Sequence, residues 1–308
     1  MSAPDRAQPA RLGLAGRLWQ APTLLLAAAA LFWAGNFVVG RAVHGGASPF
    51  FLAFWRWLGA FLLVLPLAWP HLRRDWPELR RHSWRMLQLA FLGIASFSVL
   101  VYAGLRSTAA INGLLLQSVI PLAILLASFL LFGERPRRLQ MLGVALSVGG
   151  VLAIASRGSL ADLLRLRLHP GDLWILAAVL AYAMYSACLR LRPRVHPLSF
   201  LASSALLSVL LLLPGYLWEV RAATAPPVSG ATLLAIGYLA LFPSLLSYLC
   251  FNRGVELIGA NRAGQFIHLM PLFGSILAVV FLGESLQGFH LAGLALIGGG
   301  IALAMAAR

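Results

Sequence analysis

The sequence predicts an all-α polytopic membrane protein in which ten transmembrane helices form two inverted five-helix repeats. Of the 308 residues, 60% are apolar and only 11% are charged, whereas a soluble domain carries about a quarter charged residues. Apolar stretches of about 20 residues, long enough to cross a bilayer, occur ten times. The two halves of the chain also match each other at a shift of 150 residues. These three observations together define the predicted fold class.

Each apolar stretch is expected to be a helix, because backbone groups in hydrocarbon must find hydrogen-bond partners inside the segment. In the first half the predicted spans are 22–42, 49–69, 86–105, 111–132 and 139–156. In the second half they are 172–190, 198–218, 232–252, 262–282 and 289–306. The chain then divides into a cytoplasmic N-terminal tail at 1–21, a first repeat at 22–156, a connecting loop at 157–171 and a second repeat at 172–306.

The positive charge indicates how the helices are oriented. The net charge is +15, and all 24 basic residues are arginines. Segments on the side of the N-terminus carry 17 of them, and segments on the opposite side carry six, three of which lie in the loop 157–171. Because cytoplasmic loops are enriched in basic residues, the sequence predicts that both termini lie in the cytoplasm. The scatter of arginines over short loops, without one basic face, argues against nucleic acid as a partner.

The internal match depends on residue types that are rare in this chain. At the shift of 150, Pro121 falls on Pro271, and Gly-Glu at 133–134 falls on Gly-Glu at 283–284. Each repeat holds five helices, and an odd number means that the second copy enters the membrane from the opposite face. Inverted repeats are a recurrent architecture of secondary transporters, with the substrate site near the midplane between them. The two glutamates are expected to be structural residues at helix ends, and the candidate partners of Glu134 are Arg135, Arg137 and Arg138.

Three motifs connect the chain to a known family. They are LFWAGNFVVGR in the first span, the arginine of FWRW in the second, and a P-x11-GE pattern that precedes a glycine-rich helix in both halves. Over nearly the whole chain, these motifs resemble the EamA family of the drug/metabolite transporter superfamily. The resemblance implies a ten-helix, two-repeat carrier of the inner membrane that exports amino acids or other metabolites. Within the family, the pattern looks nearest to exporters of aromatic and other neutral amino acids.

Polar and aromatic side chains inside the spans are the candidate substrate-binding residues, because such groups are costly in hydrocarbon and are often functional. They are Trp33, Asn36, Arg56, Tyr102, Gln117, Tyr182, Tyr185, Tyr248, Asn252 and His268. The matched positions of the two repeats are Trp33 with Tyr182, Asn36 with Tyr185, Ser98 with Tyr248, Tyr102 with Asn252, and Ser118 with His268. Aromatic faces with a few amides suit an amphipathic solute of modest size, uncharged or zwitterionic. The alternative is that these residues pack the core or, for Tyr102 and Asn252, anchor helix ends at the interface.

The sequence allows two interpretations of Arg56 and two interpretations of the prolines Pro121 and Pro271. Arg56 can pair with a substrate carboxylate, or it can act as a structural clamp between Trp55 or Trp57 and nearby carbonyls; the structural role is favoured. Pro121 and Pro271 are expected in the middle of the fourth and ninth spans, where a proline removes a backbone hydrogen bond and kinks the helix. The alternative is a tolerated proline that affects packing only.

The sequence also limits the other classes of function. No cysteine or histidine cluster predicts a metal, and no cofactor is expected. The HExxH and GxSxG motifs of hydrolases are missing, so the protein is not expected to be an enzyme. The expected partners are a small-molecule substrate and the lipid bilayer. A monomer is expected, and a dimer through the glycine-rich fifth and tenth helices is the alternative.

The predicted function is a secondary transporter that exports small amphipathic metabolites, amino acids including aromatic ones, by alternating access. One alternative is a proton-coupled drug/metabolite antiporter, which the lack of any aspartate or glutamate near the middle of a span disfavours. A carrier of phosphorylated or nucleotide-linked sugars is a weaker alternative, since only Arg56 and His268 offer positive charge near the midplane.

Overall fold

The computed structural model describes residues 14–43, 48–108, 113, 116–156, 159, 170–222, 229–282 and 288–306. Within these residues the structure is all-helical and contains no strand. A short helix, Leu14–Trp19, precedes ten longer helical elements, one for each predicted span. Most of the predicted loop 157–171, Gly-Glu at 283–284 and the first part of the N-terminal tail lie outside the described residues.

The ten elements are numbered α1 to α10 in chain order. The first half contains α1 at Pro22–Val43, α2 at Pro49–Arg81, α3 at Ser83–Leu105, α4 at Ile120–Phe132 and α5 at Arg138–Ala155. The second half begins with α6 at Pro170–Leu191 and α7 at Pro197–Arg221. It continues with α8, made of Gly230–Leu239, Ala240–Leu246 and Ser247–Ile258. It ends with α9, made of Ala260–Ala263, Gly264–His268 and Leu269–Leu282, and with α10 at Gly288–Ala306.

Five of these helices, α2, α3, α6, α7 and α8, are long and apolar enough to cross a membrane. Shorter apolar helices accompany them at Pro22–Asn36, Ile120–Phe132, Arg138–Ile154 and Leu291–Ala306. Large apolar side chains cover the outside of the bundle, and Leu130, Leu173 and Leu234 are 70%, 72% and 78% exposed. A helical surface of this kind suits lipid, because helices satisfy their own backbone groups. The architecture is that of a multi-pass membrane protein.

The second helix, α2, continues well past the predicted end of its span at residue 69. It ends at Arg81, so the segment 70–81 is helical, although the sequence predicts a connection at 70–85. The end of the apolar run marks the limit of the hydrocarbon and does not by itself end a helix. At 33 residues, α2 is about 50 Å long, against about 30 Å for a hydrocarbon core.

The fourth predicted span is divided by a turn. Of the described residues within 111–119, those at 113, 116 and 117 are α-helical and those at 118 and 119 form a turn. The α-helix α4 then starts at Ile120 with Pro121 at its N-terminus, where a missing N–H costs nothing. Pro271 lies in the first turn of Leu269–Leu282, shortly after the 3-10 segment Gly264–His268. Both prolines therefore stand where an irregular segment passes into an α-helix. The fourth span is thus interrupted by a turn at 118–119, shortly before Pro121.

Two π-helical segments occupy matching places in the two halves, and the sequence does not predict them. Phe91–Ser96 lies in α3, and Ala240–Leu246 lies in α8. In each segment a serine hydroxyl donates to the carbonyl five residues earlier, at 2.6 Å from Ser96 and 2.7 Å from Ser244. Pro243 lacks an N–H and cannot join the usual helical ladder. Segments of this kind occur frequently at functional sites.

The glycine-rich helices α5 and α10 pack on each other. A Cβ atom added to Gly143 would lie 2.5 Å from the carbonyl oxygen of Gly300, and one added to Gly150 would lie 2.8 Å from that of Gly293. The two contacts are equivalent, since Gly143 matches Gly293 and Gly150 matches Gly300 at the shift of 150. These glycine faces are therefore occupied within a single chain.

Candidate functional site

A cluster of buried aromatic rings connects α1, α6 and α8. The ring of Trp33 lies 5.7 Å from that of Tyr182, 5.8 Å from that of Tyr248 and 5.3 Å from that of Phe251, measured between centroids. The first two contacts are edge-to-face, a favourable arrangement for aromatic pairs. Trp33 Nε1 also donates a hydrogen bond of 3.0 Å to the carbonyl of Pro243. Three of the predicted residues, Trp33, Tyr182 and Tyr248, are thus in contact.

Three contacts join residues at equivalent positions of the two halves. Trp33 meets Tyr182, 149 positions later. His268 Nε2 lies 2.8 Å from the carbonyl oxygen of Ser118, 150 positions earlier. Ser147 Oγ donates to the carbonyl of Ile297, again 150 positions away, at 3.5 Å. Helices α1, α4 and α5 therefore each meet their counterpart in the second half.

Two tyrosine–asparagine hydrogen bonds also lie at equivalent positions. Tyr102 OH donates to Asn36 Oδ1 at 3.3 Å, and Tyr185 OH donates to Asn252 Oδ1 at 2.8 Å. Asn36 matches Tyr185, and Tyr102 matches Asn252. The tyrosine and the asparagine have exchanged places between the halves, while the hydrogen bond between them is present in both.

The guanidinium of Arg56, 3% exposed, lies beside the Asn36–Tyr102 pair. Its Nη1 donates to Tyr102 OH at 2.9 Å and to Asn36 Oδ1 at 3.4 Å. Its Nε donates to Ser244 Oγ at 2.6 Å, and its Nη2 to the carbonyl of Pro243 at 3.4 Å. All four acceptors are neutral, and no carboxylate of the described residues pairs with Arg56. The result is a buried cation held by dipoles alone.

The two π-helical segments provide the carbonyl acceptors of this cluster. The Pro243 carbonyl accepts from Trp33 and from Arg56. The carbonyl of Gly93, the equivalent residue in α3, accepts from Tyr248 OH. Trp57 lies 5.5 Å from the Arg56 guanidinium, so the contacts of the predicted structural clamp, aromatic ring and carbonyl, are both present. Every residue has a carbonyl, which is why the sequence cannot show that these two are available.

A small cavity of about 20 Å³ lies against these groups. Six of the predicted substrate-binding residues line it: Trp33, Asn36, Arg56, Tyr102, Gln117 and Tyr182. The hydroxyl of Tyr182 is buried and has no hydrogen-bond partner among the described residues. A buried polar atom normally has a partner in the protein, in water or in a ligand. The cavity therefore combines a cation, aromatic faces and an unused hydroxyl.

A second cavity, of about 710 Å³, opens at one end of the bundle. We call it the vestibule; it is lined by the C-terminal ends of α4, α6 and α8 and by the start of α9, and Asn252 is part of its wall. Glu134 pairs here with Arg190 and accepts from Asn261 Nδ2 at 3.2 Å. These partners of Glu134 lie on other helices and are not the neighbouring arginines expected from the sequence.

His268, the last of the predicted residues, is fully buried beside the cavity-lining residues Ile267 and Met270. Its Nε2 must carry the proton, because the Ser118 carbonyl can only accept. Its Nδ1 finds no partner among the described residues, and neither does the amide of Gln265, three positions earlier. Tyr185, Tyr248, Asn252 and His268 are thus not among the residues that line the small cavity.

Two buried carboxylates at helix ends are not among the predicted site residues. Glu219, at the end of α7, accepts from Ser48 Oγ at 2.5 Å and from the N–H groups of Phe50 at 3.1 Å and Phe51 at 2.7 Å. A carboxylate is favourable there because a helix N-terminus carries partial positive charge. Asp172, at the start of α6, accepts from Thr108 Oγ1. The Ser48-Pro49 helix start could have indicated that an anion was needed, although not which helix supplies it.

No group of three or more histidine, cysteine, aspartate or glutamate side chains that could hold a metal ion occurs within the part of the chain that the structure describes. The site therefore consists of a buried cation, aromatic rings and neutral dipoles. A bundle of apolar helices around such a cavity, with a vestibule at one end, has the architecture of a membrane transporter.

The comparison with known families agrees with this class. The model of the EamA-like transporter family matches residues 21–156 and again 169–306. The chain belongs to the EamA-like transporter family and contains its domain twice.

Curated relatives match most of this chain, and several of them carry transporter names. "Uncharacterized transporter YyaM" of Bacillus subtilis is 25% identical and covers 89% of this chain and 90% of its own length. "Uncharacterized transporter YetK" of the same organism is 28% identical, with 90% and 84% covered. "Uncharacterized protein PA1977" of Pseudomonas aeruginosa is 29% identical, with 92% and 94% covered. A solved crystal structure has the same fold, with a TM-score of 0.72, 21% identity, and 92% and 96% of the two chains covered.

Proposed function

We propose that the protein is an inner-membrane secondary transporter that exports small amphipathic metabolites, amino acids including aromatic ones, by alternating access. The observation that carries the proposal is the buried guanidinium of Arg56 on the wall of the small cavity, among neutral acceptors and aromatic rings. A substrate carboxylate would supply the missing negative charge in a bidentate geometry. Trp33 and Tyr182 would face the apolar part of the substrate.

The proposal includes ten membrane spans arranged as two inverted repeats. The three contacts between equivalent residues support this arrangement, because a residue meets its own equivalent only near a twofold axis. The paired contacts of Gly143 with Gly300 and of Gly150 with Gly293 support it as well. In transporters built this way the substrate site lies between the repeats near the midplane. Trp33 and Tyr182 meet at that interface.

The vestibule is proposed to face the cytoplasm. Four arginines line it, at positions 190, 192, 194 and 262, and all belong to the arginine-rich side of the sequence. Short cytoplasmic loops carry such an excess of basic residues. Both termini would then lie on the vestibule side, and the structure would correspond to a conformation that opens inward.

The two cavity volumes support alternating access. The small cavity, at about 20 Å³, has room for about one water, whereas ligand sites are typically about 300–1,000 Å³. The vestibule, at about 710 Å³, lies within that range. A substrate would therefore occupy the vestibule first and enter the small cavity only when the surrounding helices separate.

Transport by purified protein in proteoliposomes tests the proposal. Labelled phenylalanine and other neutral amino acids should be taken up, and phenylethylamine, which lacks the carboxylate, should not compete. Arg56→Gln should lower transport by about 100-fold, the factor expected when one partner of a buried charge pair is removed. Arg74→Gln, at an exposed position of the same helix, is the matched control and should transport normally. Equal competition by phenylethylamine would contradict a carboxylate site at Arg56.

A proton-coupled drug/metabolite antiporter is the second candidate. Acidic side chains buried in membrane proteins are often functional, and Glu219 and Asp172 are only 4% and 3% exposed. Uptake measured with and without a pH gradient separates the two functions. Stimulation by the gradient that disappears in Glu219→Gln would favour the antiporter. A carrier of phosphorylated sugars has less support, since Arg56 is the one cation that the described residues place on the small cavity's wall.

A further inference from the structure

We propose that the Tyr185–Asn252 hydrogen bond is the gate between the vestibule and the small cavity, and that the Asn36–Tyr102 hydrogen bond is the gate on the opposite side. The inference rests on the alternating access proposed above and names the residues that control it. Its evidence is the position of each pair, the equivalence of the two bonds, and the presence of Arg56 at only one of them.

Tyr185 occupies the layer between the two cavities. Three positions before it on α6, Tyr182 lines the small cavity, and directly after it Ser186 lines the vestibule. The Tyr185 hydroxyl donates to Asn252, which also lines the vestibule. The ring of Tyr185 lies 5.5 Å from the ring of Tyr182. Opening this pair would connect the vestibule with the cavity.

Gly93 makes room for the closed position of Tyr185. A methyl group on Gly93 would overlap the Tyr185 ring, so the bare backbone of the π-helical segment allows the ring to lie against α3. The closed gate therefore depends on a particular glycine as well as on the hydrogen bond, and this provides a second, independent way to disturb it.

The Asn36–Tyr102 pair lies toward the other end of the bundle. Helices α3 and α8 run in opposite directions in the proposed topology, and Tyr102 and Asn252 both stand near their C-terminal ends. Beyond Tyr102, the hydroxyl of Thr108 donates to Asp172 and joins the end of α3 to the start of α6. The pair thus stands between the small cavity and the Thr108–Asp172 contact, as Tyr185–Asn252 stands between the cavity and the vestibule.

Only one of the two gates is held by a charge. Arg56 Nη1 donates to both Tyr102 and Asn36, whereas the equivalent positions in α7 are Ala205 and Leu206, at shifts of 149 and 150. The vestibule gate can open by breaking one bond between neutral groups. To open, the opposite gate must also break its hydrogen bonds to the Arg56 guanidinium. A bound carboxylate would compete with Asn36 and Tyr102 for that guanidinium. The empty protein would therefore open toward the vestibule, and the carboxylate of a bound substrate would release the opposite gate.

Cysteine accessibility tests the gates without requiring transport. Val101→Cys places a thiol on the cavity wall in a chain whose native Cys188 and Cys250 are replaced by alanine. A small membrane-impermeant thiol reagent is applied to right-side-out and to inside-out vesicles. Tyr185→Phe should raise the labelling rate from the vestibule face by about fivefold, the factor that the loss of one neutral hydrogen bond allows. Tyr102→Phe removes the same hydroxyl from the other pair and should raise labelling from the opposite face only.

The outcomes separate this proposal from the proposed function. Unchanged labelling from the vestibule face in Tyr185→Phe, or an equal rise from both faces, would overturn the gate. If Tyr185→Phe fails to fold, Gly93→Ala and Asn252→Leu provide the same test by displacing the ring or removing the acceptor. Face-selective labelling in a protein that transports no amino acid would support the gates and contradict the proposed substrate.

Discussion

The environment of His268 makes it a hydrogen-bond donor within the bundle. Its Nε2 donates to the Ser118 carbonyl at 2.8 Å, the contact that joins α9 to the segment before α4. We expect His268→Gln to keep most of the transport activity, because an amide N–H can also donate to that carbonyl. His268→Leu leaves the carbonyl without its donor in a buried place and should lower the free energy of unfolding by about 1–3 kcal/mol. Thermal unfolding and proteoliposome uptake measure the two effects.

A pH gradient provides the critical comparison for the same residue. Histidine is the side chain best able to change charge near neutral pH, and among the described residues no carboxylate contacts His268. Wild type and His268→Gln should therefore respond equally to an imposed gradient. If the glutamine variant transports but loses the response, His268 is a coupling residue and its expected role as a neutral donor is wrong.

Trp33, Tyr182 and Tyr185 should each be needed for transport. Alanine at any of the three should reduce uptake by about tenfold or more, because each ring contacts the others or the cavity. Truncation of a packed aromatic residue also costs about 3–5 kcal/mol, so Trp33→Phe is the sharper variant: it retains a ring but loses the Nε1 bond to Pro243. Trp76→Ala, on an exposed part of α2, is the control. Normal uptake by all three alanine variants would make them packing residues.

At the residue scale, the sequence predicts which side chains belong to the site better than it predicts their partners. Matched positions of the two halves identify Trp33 with Tyr182 and Asn36 with Tyr185 before any contact is known. The partners of Arg56 depend on two π-helical segments, and no residue type signals a carbonyl that is free to accept. Glu219 was missed for a related reason, since its partners are backbone N–H groups of a helix that is distant in sequence.

At the scale of elements, the contact between α5 and α10 should be sensitive to a single methyl group. Gly143→Ala places a Cβ atom 2.5 Å from the Gly300 carbonyl oxygen, whereas Gly149, on the same helix, has nothing within 4 Å of the same atom. We expect Gly143→Ala to lower the melting temperature. Gly149→Ala should leave it unchanged or raise it, because alanine favours helix over glycine by about 1 kcal/mol. A thermal unfolding scan of both variants in detergent measures the two melting temperatures. Equal melting temperatures would mean that α5 and α10 separate easily.

Helix number follows from hydropathy, but helix ends do not. The polar part of α2 stays helical to Arg81 although its apolar run stops at residue 69, since charged residues with good helix propensity continue a helix into water. Conversely, a turn at 118–119 separates the α-helix that begins at Ile120 from the helical residues 116 and 117 of the same apolar run. Hydropathy locates the hydrocarbon, but a proline does not by itself locate a helix break, since Pro66, Pro70 and Pro77 lie inside the continuous helix α2.

At the scale of the whole molecule, the orientation in the membrane is the prediction on which the vestibule's assignment depends. Reporter tags at residue 78 and at the C-terminus should be found in the cytoplasm, and a tag near residue 225 should be found in the periplasm. The physical reason is the retention of arginine-rich loops on the cytoplasmic side. Alkaline phosphatase and fluorescent-protein fusions report the two compartments. A periplasmic C-terminus would contradict both the inverted repeats and an inward-facing vestibule.

The exchanged tyrosine–asparagine pairs have a consequence for how the two halves can be compared and altered. If both halves descend from one ancestral segment, selection has acted on a bond rather than on either residue, and an alignment scored by identity counts both positions as differences. Each pair then tolerates a reciprocal change more readily than a single one. The double variant Tyr185→Asn, Asn252→Tyr exchanges the two residues of the second pair. Asparagine would then lie on α6 and tyrosine on α8, which is the order that Asn36 and Tyr102 have in the first half. The double variant should regain the folding and the low labelling rate from the vestibule face that each single variant loses, as expected when compensating substitutions accumulate in a duplicated gene.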